Sequence, residues 1–278
     1  MQYLYEHTQE IHLGLSRTAE IPIIDDVTMG LDYLGPVLDG DIKENDIVLM
    51  TSLDGAQLYE HKESNCWILI WILANLSPQK RYKKAYIQPG AFIPGPHKPK
   101  NLDSFFFPSL HHLSMLQNEG LMIWDADCDL TFWSDLYFLF PTADGPGLVY
   151  WNELVGHSGK NRCRIYCGIL GRQKTHGRHY YPALIKPRDR CTTGSNHLDI
   201  NVFNLPLSSS EAYADNLQKL LASPNQTQYD QCKTETGITK ASLIFRLSLQ
   251  HSLGIPYCMT TDIMHLAGNI SDLLIALW

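Results

Sequence analysis

The chain has 278 residues, 44 % of them hydrophobic, long enough to bury one large core or two smaller ones. A formal net charge of −7 argues against a dominant nucleic-acid surface, because phosphate binding needs a basic face. No apolar run reaches the length of a membrane span, and seven irregularly spaced cysteines with no signal peptide read as reduced thiols, nuclear or cytoplasmic.

Residues 1–45 are polar and mixed, with Ile21-Pro22-Ile23-Ile24 as a short strand and no chemistry in view. The run 46–58, DIVLMTSLDGAQL, predicts the first strand, closed by Asp54-Gly55. EHKESN at 60–65 reads as a hairpin connection. Cys66–Leu76 is apolar on both faces and partly β-branched, so a central strand is expected. A third strand is expected within Lys80–Ile93, interrupted at Pro89-Gly90, and three strands in succession make a meander. A proline-rich loop follows, then Asn101 or Asp103 as a cap. Phe106, Leu110, Leu113, Leu116 and Leu121 recur at helical spacing, which predicts one long amphipathic helix over 103–124. His111 and His112 sit in it, where a histidine is more often packing or surface than ligand. Asp125–Trp133 reads as a polar turn and a short strand.

Leu136–Phe140 is short, apolar and aromatic, a buried strand that leads to Asp144 in Thr-Ala-Asp-Gly-Pro-Gly. Asp-Gly is also an ordinary turn pair. What raises Asp144 above that reading is the same arrangement at Asp54. Leu148–Val155 predicts another helix. Strand, strand, strand, helix, strand, helix is the order of an RNase H-like fold, α/β with a mixed sheet and flanking helices. In that fold the first and fourth strands are neighbours, about 5 Å apart. Asp54 and Asp144 would then share one site, with side-chain oxygens roughly 4–8 Å apart, as a pair of bridging divalent cations requires.

From residue 156 the chain turns glycine-rich and basic. Cys163 and Cys167 are followed by His176 and His179, a set that suits tetrahedral zinc but lacks a second tight cysteine pair. Arg162, Arg164, Arg172, Lys174 and Arg178 form the basic cluster and the best candidate for DNA contact. Residues 187–240 are weakly patterned, except for a serine-capped helix over Glu211–Leu221. A short helix within 241–254 and an amphipathic helix from Asp262 to Trp278 complete the chain.

At these motifs the chain resembles a transposase of the CACTA-like superfamily, most closely the Plavaka-type group of fungal genomes. The resemblance is carried by LDGAQLY at 53–59, FIPGPHKPKN at 92–101, TADGPG at 142–147, NRC at 161–163 with YCG at 166–168, HYYPAL at 179–184 and DIMHL at 262–266. It implies an RNase H-like nuclease and strand-transfer domain that uses Mg²⁺ or Mn²⁺, with Asp54 and Asp144 as its first and second acids. It also implies a structural Zn²⁺ held by Cys163, Cys167 and His179, with His265 completing the set, and transposon-end DNA as partner, an oligomer being compatible. On that reading 1–45 is a polar N-terminal segment, 46–155 the first part of the catalytic core, 156–200 the Cys/His loop, and 201–278 a helical insertion. The family's third acid, a glutamate, is expected beyond the Asp-x-Met-His stretch, so the chain is expected to be truncated and inactive as it stands. Two other readings stay open: a domesticated or relic module that binds DNA or protein without cutting, and an unrelated metal-dependent hydrolase built on Asp54 and Asp144.

Overall fold

The computed structural model describes residues 3–18, 26–57, 65–95, 99–174, 176–186, 198–207, 209–260 and 263–277. The expected strand at Ile21–Ile24 and most of the connection at 60–65 lie outside them. The chain forms two compact units. One comprises residues 1–142 and 246–254, the other residues 143–245 and 255–278.

The first unit begins with helices α1 (Tyr3–Thr18) and α2 (Leu31–Asp39), the latter ended by Gly40 in the left-handed conformation. Strand β1 (Ile47–Gln57) pairs antiparallel with β2 (Asn65–Leu73), which pairs antiparallel with β3 (Gln88–Pro94). The expected third strand is shorter than its sequence span, because Pro78–Arg81 coils into a single helical turn, α3. Helix α4 (Asp103–Glu119) starts where the Asn101 carboxamide accepts the Asp103 N–H (3.1 Å). It ends at Gly120, φ 74°, short of the expected boundary at 124. Beyond it β4 (Leu121–Asp125) and β5 (Leu130–Ser134) form a separate two-stranded hairpin. Leu121 continues the helical spacing of the sequence but belongs to the hairpin, since the backbone has already turned at the glycine.

Strand β6 (Leu136–Ala143) closes the sheet, whose order is β3-β2-β1-β6. β1 and β6 begin side by side, the Ile47 N–H donating to the Asp135 carbonyl (2.9 Å), and further along both strands the Thr142 hydroxyl donates to the Thr51 carbonyl (3.3 Å). They therefore run parallel, and the sheet is mixed. Buried Asp46 fixes this start: its carboxylate accepts from Lys43 N–H (2.8 Å) and Asp135 N–H (3.0 Å). Asn75 bridges β1 and the end of β2, accepting from Val48 N–H and donating to the Asp46 carbonyl, each at 2.8 Å.

One sheet face is covered by the N-terminal segment: Leu4, Tyr33 and Ile42 pack with Val48, Met50, Ile72, Tyr137 and Leu139. Those sheet residues alternate, as the two-residue period of a strand demands. The polar opening segment is thus part of the core. On α4 the buried apolar residues are Phe106, Leu110 and Leu113, with the Ser109 hydroxyl donating to the Gly90 carbonyl of β3 (3.2 Å). The free edge of β6 is met by residues 248–252, Phe138 N–H donating to the His251 carbonyl (2.8 Å). Buried Gln117 ties this segment to α4, donating to the Leu136 and His251 carbonyls (3.2 and 2.9 Å).

The second unit holds α5 (Gly145–Asn152), a small hairpin β7 (Arg172–Gln173) and β8 (Tyr180–Tyr181), then α6 (Ser210–Leu221), α7 (Gln226–Thr236) and α8 (Ile263–Leu277). The Ser209 hydroxyl caps α6, accepting from Ala212 N–H (3.1 Å). Helix α7 was not expected from its polar sequence; the Asn225 cap starts it (3.0 Å to Gln228 N–H) and Gly237, φ 78°, ends it. Instead of the expected helix within 241–254, a single 3-10 turn spans Leu243–Arg246. No helix among the described residues is long and apolar enough to cross a membrane.

Candidate functional site

Asp54 lies within β1, opposite Ile68 of β2, and the strand runs on to Gln57. It is therefore an inner-strand residue rather than the strand-end residue the sequence suggested. It continues the row Val48, Met50, Ser52, along which burial fades until Asp54 is exposed. Its carboxylate accepts the Gly55 N–H (2.8 Å). Asp144 is the residue after β6 and belongs to the second unit. There it is the N-cap of α5, its carboxylate accepting the Gly147 N–H (2.6 Å). Each acid is described within its own unit.

In the second unit the chain from α5 to residue 184 folds around the cysteine pair. Arg164 is the keystone. Its guanidinium donates to the carbonyls of Arg162 (3.1 Å) and Val155 and to the Asn152 side chain (3.3 Å). Asn152, fully buried, answers with a bond to the Arg164 carbonyl (3.4 Å). Burial lowers the pKa of Arg164 from its ordinary value, with the neighbouring Cys163 opposing. Arg162 donates to the carbonyls of His157 (2.9 Å) and Tyr180 (3.4 Å), and Arg172 to those of Ala183 (3.2 Å) and Leu198 (2.8 Å). Three of the five cations expected to meet DNA thus bond backbone carbonyls of their own unit. Lys174 and Arg178 are exposed.

Between Cys163 and Cys167 the chain makes a turn, Tyr166 N–H donating to the Cys163 carbonyl (3.1 Å), with Tyr166 at φ 52° and Gly168 at φ 77°. The turn brings the two sulfurs to 2.8 Å. The Cys167 thiol is pushed up to about 11, first by burial and then by its bond with Cys163. Tyr166 anchors the turn from the other side: its hydroxyl donates to the Thr236 carbonyl (3.1 Å) and accepts from Asn216 (2.9 Å), and its ring meets Tyr213 edge-on. Asn161 donates to the Thr234 and Glu235 carbonyls (3.3 and 2.6 Å), closing the end of α7. A Cβ on Gly237 would stand 2.4 Å from that of Asn161, so only glycine fits there.

The sulfur pair forms a wall shared by two cavities. The larger, about 520 Å³, is lined mostly by apolar groups including Pro146, Val149, Leu170 and Leu184. The smaller, about 180 Å³, has Tyr166, Asn216 and Thr236 in its wall. Two adjoining thiols can chelate a thiophilic cation or be oxidised to a disulfide. They supply two of the four ligands that a structural zinc needs. His176 and His179 are exposed, and the His265 side chain lies outside the described residues. Among the described residues no group of three or more His, Cys, Asp or Glu side chains is placed to hold a metal. Glu153, the acid nearest Asp144 in sequence on its C-terminal side, is engaged within its own unit: Lys240 at 3.4 Å and the Thr239 hydroxyl at 3.2 Å meet its carboxylate. Of the expected zinc set, the described residues bring Cys163 and Cys167 together.

No protein-family model matches the chain, and no curated protein matches it. The hydrogen-bonding roles of Arg164, Asn152 and Asn161 escaped the sequence reading, since nothing in a lone polar residue tells which carbonyls will face it.

Proposed function

We propose that the chain is a piece of a cut-and-paste DNA transposase: an RNase H-like core with Asp54 and Asp144 as its first two acids, followed by a Cys/His loop. One observation carries the reading. In the order β3-β2-β1-β6, the strand bearing Asp54 runs parallel to the strand that leads directly into Asp144. The family motifs of the sequence support it from the other side. On this reading Mg²⁺ or Mn²⁺ serves the acids, Zn²⁺ serves Cys163, Cys167, His179 and His265, and transposon-end DNA is the partner. The chain itself does not cut, because an in-line phosphoryl displacement needs two metals clamped by more carboxylates than two. A second reading, a binding module without catalysis, is favoured by the same shortage of a third ligand among the described residues.

The test maps the metal. Fe²⁺ with ascorbate and peroxide, bound in place of Mg²⁺, cuts the backbone nearest to it. Scission is expected near residue 54 and near residue 144, and Asp54→Ala or Asp144→Ala is expected to abolish both cuts. Cuts that leave one acid untouched, or that survive both substitutions, refute the shared site. A supercoiled plasmid incubated beside it with Mg²⁺ or Mn²⁺ is expected to stay intact. Nicking that both substitutions abolish would mean a third ligand is present, and the chain would be an active nuclease.

A further inference from the structure

The β4–β5 hairpin carries a feature that neither catalysis nor the cysteine loop uses. In its register Met122 stands opposite Trp133 and Trp124 opposite Thr131. The period of a strand puts these four side chains on one face. Met122 is 61 % exposed, Trp124 63 % and Trp133 64 %. Large apolar rings are seldom left so open without a partner.

Both rings are held in place. The Trp124 indole N–H donates to the Asp129 carboxylate (3.0 Å). Asp129 is positioned for this by its left-handed backbone, φ 52°, in a turn where the Asp125 carboxylate accepts the Asp127 N–H (2.9 Å). Trp133 lies over Gly120, where a Cβ would come within 3.2 Å of the ring. Rings fixed before binding lose less conformational freedom on contact.

The surrounding charge selects the partner. The turn bears Asp125, Asp127 and Asp129, and from Glu119 to Asp135 there is no lysine or arginine. Phosphate would be repelled by such a tip, so a nucleic-acid strand stacking on the tryptophans is disfavoured. A cation is favoured twice, by the indole faces and by the carboxylates. We propose that this hairpin is a docking face for an extended, lysine- and arginine-rich segment of another protein. The side chains of that segment lie over Trp124 and Trp133 and pair with the aspartates of the turn.

A fluorescein-labelled peptide of repeating Lys-Ser-Arg-Gly, titrated with the full chain and read by anisotropy, tests this. Saturable binding is expected that weakens with salt and is absent for the Gln-Ser-Gln-Gly counterpart. Trp124→Ala and Trp133→Ala are each expected to weaken it about two- to fivefold, as exposed cation–π contacts do. Asp127→Lys, at an exposed turn position, is expected to weaken it further. Unchanged melting temperatures show that the variants remain folded. The proposal is overturned by the absence of saturable binding, or if both tryptophan variants bind as tightly as the unsubstituted chain. It is equally overturned if oligo(dT) binds the same face more tightly, or if the face mediates self-association that Trp133→Ala removes.

Discussion

Arg81 offers the sharpest test of the first unit. Its side chain is 0 % exposed and its partner Asp26 is 6 % exposed. The guanidinium makes two bonds to that carboxylate (2.5 and 3.0 Å) and one each to the carbonyls of Leu76 and Ala74 (2.8 Å). Asp26 also accepts the Val27 N–H (2.7 Å), so the pair ties the turn before α2 to the exit of β2. An exposed ion pair contributes about 0–1 kcal/mol, whereas removing one partner of a buried pair costs about 3–5 kcal/mol, because the other charge is left in a poor solvent. Asp26→Ala is therefore expected to destabilise the first unit by about 3–5 kcal/mol. Adding Arg81→Met should recover part of that loss, since a buried pair replaced by apolar groups is often near neutral. Recovery is incomplete, because the Leu76 and Ala74 carbonyls lose their donors, at about 1–3 kcal/mol for each group left unsatisfied. Native-state hydrogen exchange of the β1 and β2 amides reads this unit directly. A loss below about 1 kcal/mol in Asp26→Ala would mean that water reaches the guanidinium, and the burial argument would fail.

Two further outcomes are expected. On the proposed zinc reading, zinc content measured by native mass spectrometry should fall in Cys163→Ser, and proteolysis of the 156–185 loop should accelerate, because metal-binding energy is folding energy in such loops; equal zinc in both proteins removes that reading. Stability should fall on the alkaline side, because burial raises the pKa of Tyr33, Tyr137, Tyr213 and Cys258. The folded state then holds protons that the unfolded chain releases, so this contribution is full below the ordinary cysteine and tyrosine values, about 8.5 and 10, and is lost as pH rises past them. Melting temperatures between pH 7 and 11 should drop above about pH 9, with the earliest part of the drop reduced in Cys258→Val; a flat profile through that range contradicts the assigned burial.

The sequence determined by itself those elements whose signal is local. The runs at 46–58 and 66–76 alternate or stay apolar over the length of a strand, and they are strands. Ser209 marks a helix start because a cap needs only its own neighbours. The four-residue step from Cys163 to Cys167 suited a shared cation, and the two sulfurs do meet, at 2.8 Å. The rest depended on partners distant in the chain. Helix α4 stops at Gly120 because the backbone adopts φ 74° there, while the apolar spacing runs on into Leu121. Helix α7 has no apolar stripe to betray it, and its last turn is met by Asn161, from another part of its unit. The cations at 162, 164 and 172 looked like a phosphate-binding cluster, yet folding turned each toward backbone carbonyls of its own unit. Strand order, too, is a tertiary decision: a strand's residues specify which faces are buried, but only packing selects β6 rather than β3 as the neighbour of β1.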